Sequence, residues 1–352
     1  MYLESMNYSK NKSRFLLIGL LVALMALTME CGVVKPPAYG DIKRIVVLAD
    51  DADWNYAEDA LRAVYERIIE TPQPEKRFLV SHPPLENFNL YKKYPNIILM
   101  GTTKSDGVIG DLLNNSITPE NRADIESGKK YAFQQHDVWA RNQYMLILVA
   151  PTIQDLVNKI NNNSDRLFQL VNNEANNFLM KSMYKHEEQV KISEQLFQKY
   201  GFSIRVQHDY KMKEWQEHNA VLFHRYNPDR LILIHWVDTT GVIYIPESWA
   251  IQKRDELSNK LFNGRVAIPE SIIRKRTELA GYNAVEFRGL WWHPDGIVGG
   301  GPMINYAFFD EYTDRIYMID LAVYAPEFVG EKEPFIRQLE VIASTFTTQQ
   351  RK

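Results

Sequence analysis

The sequence predicts a mixed α/β to α+β protein: an N-terminal α/β layer domain followed by a C-terminal antiparallel-sheet domain covered by helices. Three observations predict it. Strand-length apolar runs alternate with helical periodicity across residues 42–183. Residues 184–352 are strand-rich, and the turn Glu311-Tyr312-Thr313-Asp314 joins two alternating segments into a meander. The last periodic segment carries Phe335, Leu339, Ile342, Ala343 and Phe346 on one helical face, suited to cover a sheet. With 352 residues, the chain is long enough for two such cores.

The elements follow in order. Lys43–Ala49 is a continuous apolar run of strand length. A helix is predicted from Trp54 to Ile69, with Ala57, Ala60, Leu61, Val64 and Ile68 on one face, Asp53 as N-cap and Thr71-Pro72-Gln73-Pro74 as stop. Strands are predicted at Arg77–Ser81, Asn96–Gly101 and Tyr144–Ala150, with a short helix over 107–113. Thr152 caps a long helix running to about residue 182. A charged amphipathic helix over 183–200 ends at Gly201, and the domain boundary is placed within 183–201. The second part reads as strands at 203–207, 219–224, 230–237, 241–246, 283–292, 303–310 and 315–324, with helices at Ser248–Leu261 and Glu333–Phe346.

Composition removes several function classes. A formal net charge of −3 at pH 7 gives no support for a nucleic-acid binder, which would usually be clearly basic. The single cysteine, Cys31, cannot form an intramolecular disulfide or a multi-cysteine zinc site. Its position is informative. Lys10, Lys12 and Arg14 precede an uninterrupted apolar run, Phe15–Leu27, which is shorter than the roughly 20 residues a transmembrane helix needs. The stretch from Leu27 to Cys31 resembles a bacterial lipobox, with Glu30 where the pattern has a small residue. The expectation is a signal peptide over residues 1–30, lipid attachment at Cys31 and a tether over residues 31–41, semi-rigid at Pro36-Pro37. No acidic cluster of the kind that surface-exported lipoproteins often carry follows Cys31, which favours a periplasm-facing anchor; the expected location is the outer membrane.

Farther along stand Asp137-Val138-Trp139-Ala140, Arg288-Gly289-Leu290-Trp291, Gly300-Gly301-Pro302, Val323-Tyr324-Ala325-Pro326 and Ile336-Arg337-Gln338-Leu339-Glu340. In this order, behind a lipobox-like signal, they resemble an uncharacterised lipoprotein family of the Bacteroidota, domain of unknown function 4837. The resemblance implies an exported, lipid-anchored envelope protein and implies no reaction.

Candidate chemistry is sparse. Asp50-Asp51-Ala52-Asp53 follows the first strand, where open α/β sheets bind ligands, and could hold a hard cation. Helix capping explains the same residues. Gly299-Gly300-Gly301-Pro302 lacks the Lys-Ser/Thr pair and the following helix of a phosphate loop, and reads as a flexible hairpin connection. His218, His224 and His235 do not have a spacing that forces convergence on a metal. No Gly-x-Ser-x-Gly elbow is present, and Glu187-Glu188 reads as solvated.

Aromatic and arginine residues offer a candidate binding surface: Trp139 and Arg141 in the first part, and Arg288, Trp291, Trp292 and His293 in the second. Strand alternation sends Trp291 and Trp292 to opposite faces and puts Arg288 on the face of Trp292. The expected function is a non-enzymatic binding or assembly component of the cell envelope, without cofactor, metal or nucleic acid. Its partners would be the membrane, through Cys31, and an envelope protein. The alternative is an enzyme or small-ligand protein with its site at the inter-domain cleft, lined by Asp50–Asp53 or by the His293–Pro302 loop.

Overall fold

A computed structural model describes residues 35–185, 187–239, 245–261, 264–294 and 299–349. The predicted signal, Cys31 and most of the predicted strand at 241–246 lie outside the described residues.

The N-terminal half is built on a five-stranded sheet in the order β4-β1-β5-β7-β6. β1 (Arg44–Leu48), β4 (Leu79–Ser81), β5 (Asn96–Thr102) and β7 (Tyr144–Ala150) run parallel, and β6 (Ala132–His136) closes the edge antiparallel to β7. Strands buried on both faces read as unbroken apolar runs, which is why β1, β5 and β7 were legible. One face is covered by α1 (Asp51–Tyr65), α5 (Ile153–Asn162) and α6 (Ser164–Met183), through Trp54, Leu61, Val64, Leu156, Ile160 and Val171. The other face packs on α3 (Val108–Ser116) and on Val138 and Trp139. Short helices α2 (Phe88–Tyr91) and α4 (Pro119–Glu126) complete this half.

Several local expectations change. The helix predicted from Trp54 begins at Asp51, so Asp53 lies in its first turn and Asp50 holds the N-cap position. Residues Ile68–Ile69, expected to be helical, form strand β2, paired with β3 (Glu75–Lys76). Thr152 does cap a helix, accepting the Asp155 N–H at 3.2 Å, but the helix breaks at Asn163 into α5 and α6. Residues 35–41, read as tether, lie along the body. Arg141 N donates to Pro36 O, Ala38 N donates to Arg141 O, and the Tyr39 hydroxyl donates to Leu90 O at 2.7 Å.

The C-terminal half is an eight-stranded antiparallel sheet in the order β11-β13-β14-β15-β10-β9-β8, with β12 pairing β13 beside β11. Its strands are β8 (Lys211–Trp215), β9 (Ala220–Arg225), β10 (Asp229–Asp238), β11 (Val266–Ala267), β12 (Ile273–Leu279), β13 (Tyr282–Trp292), β14 (Gly300–Asp310) and β15 (Arg315–Tyr324). The long central strands bury alternate residues on both faces. Ile232, Ile304, Phe308, Tyr317 and Ile319 meet α7 (Val190–Tyr200) and α9 (Glu333–Ala343). Met303, Met318 and Trp291 face α8 (Glu247–Leu261). Gly201 ends α7 in the left-handed region at φ +77°, as its sequence position predicts. Two expectations fail here. α7 starts only at Val190, and residues 203–207 make isolated bridges, Ser203 to Thr347 and Gln207 to Glu188, rather than a strand.

Candidate functional site

The crevice beyond β1 and β5 is filled by the protein itself. Asp50 accepts Ile109 N at 3.1 Å and Gly110 N at 2.8 Å, so its carboxylate caps α3 instead of α1. Gly107 permits that approach, since a Cβ there would lie 2.2 Å from the Asp50 carboxyl carbon. Asp53 accepts the Ser105 hydroxyl at 2.6 Å, and burial, with Asp50 nearby, pushes its carboxyl up. Asp51 pairs with His82 at 3.1 Å. The aspartates are thus spent on internal contacts at the one place where an open parallel sheet offers a ligand crevice.

Three of the sequence motifs meet at one point of the C-terminal sheet. Trp291 stands opposite Gly301 in the β13–β14 ladder, and its indole N–H donates to Val323 O at 3.2 Å. A Cβ on Gly301 would come within 1.9 Å of that same oxygen. The glycine pair therefore belongs to strand β14, where it admits an indole, and is not the flexible connection expected of it. Trp291 is 1% exposed, with the Arg265 guanidinium 4.9 Å over its ring. Trp292 is 46% exposed on the other face, as alternation requires. His293 packs edge-on against Trp291. Trp139 packs edge-on against Phe88 in the N-terminal core, and Arg141 is exposed beside the chain's entry into the fold. The six candidate residues are thus not brought together: Trp139 and Trp291 belong to different apolar clusters, Trp292 is exposed on the other face of the sheet from Trp291, and Arg288 binds Glu286 and Glu340.

The histidines also work locally. His235 donates from Nδ1 to the carbonyls of His218 and Asn219, both at 3.0 Å, and burial pulls its pKa down. His224 sits 3.3 Å from Asp229, and burial outweighs that carboxylate, again lowering it. Among the described residues no cluster of three or more His, Cys, Asp or Glu side chains could hold a metal ion.

The feature that sequence reasoning missed lies where the two halves meet. Glu75, from β3, accepts Lys332 N at 2.8 Å and Glu333 N at 3.0 Å, so a carboxylate of the first half caps the last helix of the second. Arg337 on α9 donates to Glu333 at 2.6 Å, to Asn172 and Asn176 of α6, and to Arg77 O at 3.0 Å. Arg77 in turn lies 2.7 Å from Glu340. Arg288 binds Glu340 and, at 2.7 Å, Glu286. Lys43 approaches Glu75 at 3.8 Å. Lys275 lies 3.6 Å from Glu286. Three arginines and two lysines thus face four carboxylates, and most of these groups are nearly buried. Buried ions persist only when paired in this way.

This network floors a cleft of about 440 Å³ between α6 and the β12–β13 corner that α9 leaves uncovered. Gln169, Asn172, Asn173 and Asn176 line one side at helical spacing, and Lys275, Thr277, Glu286, Arg288 and Tyr306 line the other. Burial alone would raise the Glu340 carboxyl, but Arg288, Arg77 and Arg337 hold it well below the usual carboxylate range. Burial, reinforced by Glu286, drives the Tyr306 phenol far up. Arg288, despite its burial, is raised by Glu340, Tyr306 and Glu286. Burial beside Arg77 lowers Arg337 to about 10. At neutral pH all four hold one protonation state. The network was illegible because its members come from β3, α6, β13 and α9, and no local pattern links them. The one available signal was that Arg337 and Glu340 lie outside the apolar stripe of an otherwise amphipathic helix.

Comparison with known proteins adds family names without activities. Residues 189–345 match the family described as domain of unknown function (DUF4837). Residues 38–184 match the one described as domain of unknown function (DUF8532), so the Asp137–Ala140 motif falls in this second match. No curated protein matches. Among solved structures the chain is similar to the Ran-binding protein Mog1p of Saccharomyces cerevisiae, with 11% identity, a TM-score of 0.29, and coverage of 43% of this chain and 92% of that one. A score that low carries no argument.

Proposed function

We propose that the protein is a non-enzymatic binding component of the cell envelope, lipid-anchored at Cys31 after removal of residues 1–30 and facing the periplasm, with the junction cleft as its binding seat. The observation that carries this reading is the cleft's compensated floor. Each charged group at its base is already bound to another, and Glu340, Tyr306, Arg288 and Arg337 are held far from neutrality. General acid–base catalysis needs a group poised near the working pH, whereas recognition needs a fixed polar wall. The row Gln169, Asn172, Asn173 and Asn176 supplies such a wall. The cleft lies where the small-ligand reading expects a site, between residues 42–183 and 184–352, but its lining comes from neither segment named for that reading.

Anchoring also fits the docked entry of the chain. Only residues 32–34 separate Cys31 from Lys35, whose ammonium donates to Asp137 O at 2.5 Å. That span is at most about 14 Å, so a lipid on Cys31 would hold the Asp137–Arg141 side of the body close to the bilayer.

The test is photo-crosslinking in native membranes. A photoreactive residue in place of Asn173, in the cleft, is expected to give a discrete adduct. The same residue in place of exposed Glu217 is expected to give none. Equal or absent labelling at the two positions removes the cleft as binding seat. A Cys31→Ser chain should appear in the soluble fraction, and membrane retention of that variant defeats the lipid anchor.

A further inference from the structure

The α3 face of the N-terminal sheet is incompletely covered over the middle of β7. Three helices cover the opposite face, whereas this one meets the short helices α2 and α3 and the loop after β6. Ile147 is accordingly the one residue of β7 that is not fully buried. It pairs with Leu99 on β5 and with Phe133 on β6, and this row floors a pocket of about 200 Å³. Leu112 on α3, Ile117 just past its end, Val138 and Trp139 form the walls. These four, with Phe133 and Ile147, remain partly exposed. None of the described residues that line the pocket is charged, in contrast to the junction cleft. Its shape is held from behind. Buried Gln143 accepts Trp139 N at 2.9 Å and donates to Lys92 O at 2.8 Å and Tyr94 O at 2.9 Å, which fixes the loop after β6.

We propose that this pocket receives the end of one acyl chain carried on Cys31. The proposal rests on the lipid-anchor reading and goes beyond it, by placing part of the lipid inside the protein. The entry of the chain carries the argument. The Lys35 ammonium donates to Asp137 O at 2.5 Å and Arg141 N donates to Pro36 O, so residues 35 and 36 lie along the very loop that supplies Val138 and Trp139. Cys31 is at most about 14 Å from Lys35. A lipid acyl chain reaches through half of a ~30 Å hydrocarbon core, or ~15 Å, which brings its end within range of the pocket. The volume suits a chain end rather than a whole chain: at roughly 30 Å³ for a group the size of a water molecule, it has room for about seven. The chemistry of the lining suits hydrocarbon. A peptide or a headgroup would bring polar atoms into an apolar concavity and leave them without partners. Ser116, on the rim, already spends its hydroxyl on Leu112 O at 2.7 Å. Covalent attachment makes the insertion intramolecular, which favours this chain over a free one of the same chemistry. The remaining acyl chains stay in the bilayer, where two chains suffice for stable anchoring. A chain held at both the membrane and the pocket would fix the orientation of the body, which a tether alone leaves open.

The experiment feeds producing cells a palmitic acid with a diazirine at mid-chain, which enters the lipid on Cys31, and irradiates native membranes. The full chain is then digested and mapped by mass spectrometry. The expected product is an adduct within one chain, joining the Cys31 lipopeptide to residues 108–121 or 133–149. Ser116→Trp, at an exposed position on the rim, should cut that adduct at least tenfold. Ile117→Lys, which puts a charge beside the pocket, should do the same, so that a folding defect in one variant does not decide the result. A second readout uses the released Cys31→Ser chain, whose pocket lacks its acyl chain. It should bind cis-parinaric acid saturably at one per chain, and Cys31→Ser/Ser116→Trp should bind it at least tenfold more weakly. Adducts scattered over the surface, indifference to both pocket variants, or no saturable binding of cis-parinaric acid overturns the proposal. So does labelling of the wild-type pocket by free lipid in place of the lipopeptide. If the Cys31→Ser chain is released from the membrane while the wild type gives no adduct within the chain, the occupant falls and the anchor stands. If that variant stays in the membrane, the anchor and this proposal fall together.

Discussion

Gly301 shows how a single atom decides a stretch of sequence. The run Gly299-Gly300-Gly301-Pro302 is read most simply as a flexible turn, because glycine and proline are the common turn formers. In the fold, Gly300 and Gly301 are strand residues, and they are glycine because the Trp291 side of the sheet lies against them. Gly301→Ala would place a methyl group 1.9 Å from Val323 O and 3.2 Å from the Trp291 indole nitrogen. The backbone oxygen cannot move without disturbing the ladder. The variant is expected to lose about 1–3 kcal/mol, seen as a lower urea midpoint with unchanged slope. The presence of glycines, prolines and tryptophans was legible from the sequence. Their mutual contact was not, because a ladder register across three strands fixes it.

At the scale of the element, α9 is the informative case. Its apolar face, with Leu339, Ile342 and Ala343, was readable as a cover for the sheet, and those residues are buried, as is Phe346, which was expected in the helix but lies just past its end at Ala343. Its other face was not readable. Glu333 and Arg337 are each 1% exposed, although such residues at helical spacing ordinarily stand in water. They are buried because α6, more than a hundred residues earlier in the chain, supplies Asn172 and Asn176 as partners. The helix also lacks a cap of its own and takes one from Glu75. Glu75→Gln keeps one acceptor oxygen but removes the charge that suits a helix N-terminus. Amide exchange at residues 332–336 should speed up, with a stability loss on the order of 1 kcal/mol. Unchanged exchange there would show that Lys43 and the rest of the network carry the junction without it.

For the whole molecule, the two sheets were predictable and their attachment was not. Alternation and apolar runs are local signals, which is why the α/β and antiparallel layers were legible. The cleft is made by residues from both ends of the sequence. The same network makes the junction sensitive to acid. The native Glu340 carboxyl sits well below its unfolded value, so the native state binds fewer protons. Its stabilisation is therefore complete above the ordinary carboxylate value, about 4.3, and is lost as pH falls below it. Unfolding midpoints of the wild type should drop steeply below that value. Those of Glu340→Gln should start lower and fall less steeply. Parallel profiles would place the acid-labile group elsewhere.

The capping of α9 by Glu75 has one more consequence, which concerns time. The two partners are 258 residues apart. During synthesis or export the first half can complete its parallel layer while Glu75 and Arg77 still wait in water for partners. Contacts this distant are the costly ones to close. They are satisfied only when the final helix arrives and shuts the seam, like a clasp whose two parts are at opposite ends of a strap.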